Sequence, residues 1–147
     1  MTQTTITRTI DAPLEDVFNT VADISQFSEA IPHIIKVEFL TESKTGVGTR
    51  FRETRVMKGK EVATELEVTE YAENDRVRMV ADSHGTVWDS LFTVRSENGK
   101  TNLTLIMEAR AYKFLPRLMN PLIKGMVAKA VGMDMDMVKA HCENQQK

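Results

Sequence analysis

Residues 76–111 read RVRMVADSHGTVWDSLFTVRSENGKTNLTLIMEARA, and this stretch decides the fold. Its apolar residues recur every second position, which is the period of a half-buried strand. Three strands follow, Arg76 to Ser83, Thr86 to Ser96 and Thr101 to Ala111. The breaks between them, His84-Gly85 and Glu97-Asn98-Gly99-Lys100, are turn chemistry. Asn98 and Gly99 both tolerate positive φ, so the second break is a strong hairpin signal. Connections this short join antiparallel neighbours, because a parallel pair needs a long crossover.

The same period extends upstream. Strands are predicted over Ile34 to Thr41, Gly48 to Met57 and Glu61 to Tyr71, separated by Glu42-Ser43-Lys44-Thr45-Gly46 and Lys58-Gly59-Lys60. No proline interrupts any of them. Thr5 to Ile10 is β-branched and alternating, and forms a first strand. Between it and Ile34, Pro13 suits a first helical position, followed by the acids Glu15 and Asp16 and an apolar face of Val17, Phe18, Val21 and Ile24. A second short helix carries Phe27 and Ile31. The chain closes with a long helix to about Glu143, whose Asn120-Pro121 reads as a cap and first turn. At 100° per residue, Leu115, Met119, Leu122, Ile123, Met126, Ala130, Met133 and Met137 share one face, and this face is expected to meet the sheet. Val127, Val131, Met135 and Val138 fall opposite, where they would be exposed, either as a coincidental scatter that Lys124 interrupts or as a homodimer contact.

These elements make an α+β layer pair: a seven-stranded antiparallel sheet, two short helices after its first strand, and one long C-terminal helix. A strongly twisted sheet curls around such a helix and leaves room for a cavity. The 147 residues suit a single domain over 1–147. With 19 basic and 21 acidic side chains, the formal charge of −2 lacks the basic surplus that phosphate contacts need. Nucleic acid is therefore not an expected partner. The longest apolar runs are too short for a membrane-spanning helix, and Met1 to Ile10 lacks the apolar core of a signal peptide. Cys142 is the only cysteine, so no internal disulfide forms, and a cytoplasmic location is expected.

Several stretches resemble the START/Bet v 1-like (SRPBCC) superfamily, which includes polyketide cyclase/dehydrase-like and lipid-transport proteins. They are Ile10-Asp11-Ala12-Pro13 with Val17-Phe18, Phe27 to His33 leading into Val37-Glu38-Phe39-Leu40, and Gly46 to Arg52. Trp88 and Phe92, then Thr101 to Leu105, are similar to the penultimate hairpin of that superfamily. The resemblance implies a helix-grip fold, with an apolar pocket between sheet and C-terminal helix. It further implies binding or transport of a small hydrophobic molecule such as a lipid, quinone or aromatic polyketide. Cyclisation or dehydration of an aromatic substrate is the enzymatic alternative, and partner binding without a ligand is the third.

Alternation and helix phase nominate Phe51, Leu66, Met79, Trp88, Ser90, Phe92, Leu105, Met107, Met119, Leu122, Met126, Ala130 and Met133 as ligand-binding residues. A solid core would use the same pattern. Five of the nine methionines lie near or in the last helix, and Met suits a wall that adapts to its ligand. If Phe51 points inward, Glu53 and Arg55 share its face, and with Tyr112 they are the candidate acid–base groups; a solvated surface pair at an outward part of the strand is the blander and favoured reading. Asp82, His84 and Asp89 could form an acid–base cluster at the sheet rim, but a solvated turn is the better reading of the three. His33, His84 and His141 are not in metal-ligand spacing with each other or with Cys142, and no metal or cofactor is expected. No phosphate loop or dinucleotide fingerprint occurs.

Overall fold

The computed structural model describes residues 2–83, 85–112 and 121–146, and the side chains of all these except 2 and 121–123. The elements follow the order β1 (Thr2–Ile10), α1 (Leu14–Ala22), α2 (Ile24–Ala30), β2 (Ile34–Phe39), β3 (Arg50–Met57), β4 (Lys60–Ala72), β5 (Arg76–Ser83), β6 (Thr86–Glu97), β7 (Lys100–Ala111) and α3 (Pro121–Asn144). The strands form one sheet in the order β1-β7-β6-β5-β4-β3-β2, and every pairing is antiparallel. This is the helix-grip arrangement.

Local chemistry sets the turns. Lys58 and Gly59 join β3 to β4 with φ of 52° and 79°; Asn98 and Gly99 join β6 to β7 with 51° and 79°. Successive positive φ values give the turn whose twist matches that of the flanking strands. Each hairpin register follows, from Met57 opposite Lys60 and from Glu97 opposite Lys100. One bulge, between Val68 and Glu70, matters for the interior. It shifts the inward parity of β4 by one residue, so that Val68 and Tyr71 both reach the concave side. Tyr71 there meets Phe18 of α1 edge-on, with ring centroids 5.5 Å apart.

Pro13 stands at the cap of α1 and not in its first turn; its carbonyl accepts from the N–H of Asp16 and Val17. Asp23 caps α2 by accepting from the Ser25 N–H at 2.9 Å. These two helices bury Val17, Phe18, Val21, Ile24 and Ala30 against one end of the concave face, where Ile10, Phe51, Val77 and Leu103 complete the core.

The convex face is held by charge. Arg78 donates to Glu70 and, at 2.8 Å, to Asp89, which also meets Arg110 at 3.5 Å; Arg76 pairs with Glu70 and Asp75. Asp82 is a partner of Tyr112 on the same side. The alternative, a rim cluster, does not form from Asp82 and Asp89, which serve separate partners; His84 lies outside the described residues.

The face that α3 presents differs from the expectation. Val131, Met135, Val138 and Cys142 are buried, at 9%, 1%, 0% and 0% exposure, while Met126 and Met133 stand 54% and 48% exposed. Met137 is half-buried at the edge of the core. Both faces carry apolar residues, so periodicity alone cannot choose between them. Tertiary contacts do. Asp134 and Asp136 flank Met135, and with Met135 inward they reach Arg55 on β3 and Arg8 on β1, at 2.8 and 2.6 Å. Gly132 lies beside the same strand: a Cβ there would meet the Arg8 guanidinium at 3.4 Å and Ile6 at 3.8 Å, ordinary contact distances that show how near the helix passes to β1. The Val stripe is therefore interior and is not a dimer contact. Met119 lies outside the described residues, as does the side chain of Leu122.

Candidate functional site

A cavity of about 350 Å³ lies between the concave sheet face and α3. That is at the small end of the ~300–1,000 Å³ range of ligand pockets. Strand alternation supplies one wall, because residues two apart on a strand project to the same side. Phe51, Leu66, Met79, Trp88, Ser90, Phe92, Leu105 and Met107 line it, and so does Ala130 of α3. Met126 and Met133, expected on this wall, project to solvent instead for the reason given above. The rest of the helical wall comes from Val127, Val131, Met135 and Val138, and the closed end from Val21 and Ile24 with Phe27, whose ring packs edge-on against Phe92 at 6.3 Å. Met57 and Val62, exposed at 51% and 43%, are also lining residues and mark where the cavity opens.

The methionines here are Met57, Met79, Met107 and Met135, so three of four come from strands. The adaptable wall belongs mostly to the sheet.

One corner is charged. Inward parity on β3 carries Glu53 and Arg55 with Phe51, and Asp134 enters from α3. Arg55 donates through Nε to Glu53 Oε1 and through Nη1 to Asp134 Oδ2, both at 2.8 Å. Side-chain exposures of 22% for Arg55, 12% for Glu53 and 22% for Asp134 place the trio at the boundary between cavity and solvent. Burial works against the charge on Arg55, but the facing carboxylates of Glu53 and Asp134 outweigh it and hold the guanidinium above its ordinary value. Arg55 is thus a permanent cation, and the only cationic side chain among the described lining residues. Thr64, Ser83 and Ser90 add neutral polar groups.

Tyr112, the third candidate acid–base group, is elsewhere. It follows the end of β7, is 60% exposed, and donates to Asp82 at 2.8 Å on the convex side. That bond to a carboxylate raises its phenol above the ordinary value. His33 is exposed in the loop before β2, and His141 contacts Gln145 near the end of α3; neither lines the cavity. Among the described residues no cluster of three His, Cys, Asp or Glu could hold a metal.

Sequence reasoning missed Asp134. Its signal is the alternation Met133-Asp134-Met135-Asp136-Met137, in which an acid interrupts an apolar helix. Only the position of Arg55 across the cavity shows which acid is used.

Residues 1–143 match the family model described as polyketide cyclase / dehydrase and lipid transport. The chain belongs to this family. Among solved structures, it is similar to TTHA0849 from Thermus thermophilus, with 18% identity, TM-score 0.80, and coverage of 99% of this chain and 100% of that one. It is also similar to a START superfamily protein from Mycobacterium smegmatis, with 16% identity, TM-score 0.80, and coverage of 97% and 98%. A third likeness is to the di-domain ARO/CYC BexL from the BE-7585A biosynthetic pathway. There the identity is 18% and the TM-score 0.69, over 96% of this chain and 50% of that one. At these identities the three likenesses establish the fold. No curated protein matches the sequence. Family membership joins the fold to a general theme, small apolar molecules, and leaves the ligand to the chemistry of the cavity. No described helix is long and apolar enough to cross a membrane.

Proposed function

We propose that this protein binds a small, largely apolar molecule between its sheet and α3. The observation that carries the reading is the cavity itself: about 350 Å³ walled by Phe51, Met79, Trp88, Phe92, Leu105 and Met135, with one polar corner. Such a surface costs free energy in contact with water and is stabilised by an apolar occupant, at about 25 cal/mol per Å² covered. A few polar groups among apolar walls are what orients a bound molecule.

The test uses the purified protein and the neutral dye N-phenylnaphthylamine, whose emission rises in an apolar site. Wild type is expected to bind it saturably. A Ser90→Trp variant, which fills the cavity from the sheet side, is expected to lose at least tenfold in affinity while keeping its far-UV circular dichroism. Equal binding by both proteins would overturn the reading. Organic extraction and native mass spectrometry of freshly purified protein then identify any natural occupant.

A second reading, acid–base catalysis of the cyclase or dehydratase type, is supported by Glu53 alone, the most buried carboxylate on the wall. It requires that Glu53→Gln keep dye affinity yet change the identity of the co-purified molecule, by one water for a dehydration or by its fragmentation pattern at equal mass for a cyclisation. The same mass and the same fragments from both proteins count against it.

A further inference from the structure

The polar corner carries information about the head of the ligand. An arginine in an apolar pocket ordinarily suggests an anionic ligand, because its fork of donors matches a carboxylate or phosphate. Here two of its five N–H donors are already held by protein carboxylates. Nε faces Glu53 and Nη1 faces Asp134, each at 2.8 Å, so two carboxylates surround one guanidinium. The corner has one formal negative charge in excess, and no lysine or second arginine stands among the described lining residues to offset it. Each carboxylate makes only one of its oxygens available to Arg55. Glu53 Oε2 and Asp134 Oδ1 accept no hydrogen bond from the described residues, and both groups face the cavity. An ionised carboxylate has room for about four donors, so Glu53 and Asp134 keep most of their acceptor sites open; Arg55 keeps the donors of Nη2, but the formal charge of the corner stays negative.

Resting on the binding reading above, we propose that the cavity selects a ligand whose head donates hydrogen bonds, as a hydroxyl or an amine does, and that Glu53 and Asp134 reject a carboxylate head. An anionic head would bring a third negative charge to a single cation, at a site 12–22% exposed, where water screens less than it does on the open surface. A donating head would instead complete the open valences of the two carboxylates with charge-assisted bonds. Its apolar body would extend from this corner along Phe51, Trp88 and Phe92. Asp134 does the most to set this preference, since without it Glu53 and Arg55 would form a balanced pair.

Three ligands of one chain length separate the head from the body: decanol, decylamine and decanoate, each used to displace N-phenylnaphthylamine at neutral pH. On wild type, decanol and decylamine are expected to displace the dye at concentrations at least tenfold below that of decanoate. Asp134→Asn removes the excess charge and is expected to narrow the gap severalfold. Adding Glu53→Gln leaves Arg55 as the only charge and is expected to reverse the order. Decanoate displacing as well as decanol from wild type, where the dye itself binds, would overturn the head-group inference and leave the binding reading intact. A wild-type protein that does not bind the dye would overturn both. The wild-type comparison needs no variant, so a failure of either substitution to fold does not shield the inference.

Discussion

Truncating two methionines two residues apart on α3 gives the most direct test of how the helix sits. Met135 is 1% exposed and Met133 is 48% exposed. Met→Ala costs about 2–5 kcal/mol in a core, from lost transfer free energy plus the space left behind. Met135 borders an existing cavity, so its removal enlarges that space and opens no new closed void. The lower part of the range applies, about 2–3 kcal/mol. Met133 has half of its surface in water already and leaves no void, so its truncation should cost below about 1 kcal/mol. Ala and Met differ little in helix propensity, and the comparison therefore isolates burial. Urea denaturation followed by circular dichroism is the assay, with m unchanged for both variants. Met135→Ala should lower Tm by roughly 4–12 °C at this chain length, and Met133→Ala by a few degrees at most. A larger loss for Met133→Ala than for Met135→Ala would mean that the helix presents the face read from periodicity, and would refute the present orientation.

Three further outcomes follow from particular contacts. Arg55→Met strands Glu53 and Asp134 at the cavity wall and should destabilise by about 1–3 kcal/mol in the same urea assay, less than a fully buried pair because the trio is partly wet. Part of that loss should return on adding Glu53→Gln. Cys142 is fully buried against Thr20, and burial raises its thiol above the ordinary value; a thiol-specific reagent should label it slowly in native protein and at once in denaturant. Fast native labelling would contradict its placement. Glu70 lies below its ordinary value of 4.5 because Arg76 and then Arg78 hydrogen-bond its carboxylate. Its contribution is therefore present above that value and disappears as pH falls through the lower folded one. Tm of Glu70→Gln should fall less between about pH 6 and about pH 3 than that of wild type, and identical acid profiles would exclude the effect.

The strands were legible because their signals are local. Arg76–Ser83 stands as read, and the others differ by three residues or fewer at either end. Period-two alternation also put Glu53 and Arg55 on the face of Phe51, and burial of Phe51 carries both into the cavity. Turn chemistry at Asn98-Gly99 fixed a register, since positive φ at both residues leaves one loop geometry. Tyr112 was not legible: it lies just past the end of β7, where alternation no longer dictates a side, and Asp82 draws it outward.

The amino-acid sequence by itself determined the seven-stranded sheet, the order of its elements and the inward faces of its strands, because a strand has only two sides and its neighbours are set by short turns. Tertiary structure alone decided the face of α3. A helix with Val131, Met135 and Val138 on one side and Met126 and Met133 on the other can bury either, and the choice rests on contacts with residues distant in the chain: Arg8 to Asp136, Arg55 to Asp134, and Thr20 to Cys142. The same choice brought a second carboxylate to Arg55 and so gave the cavity its excess negative charge, which no spacing along the chain records.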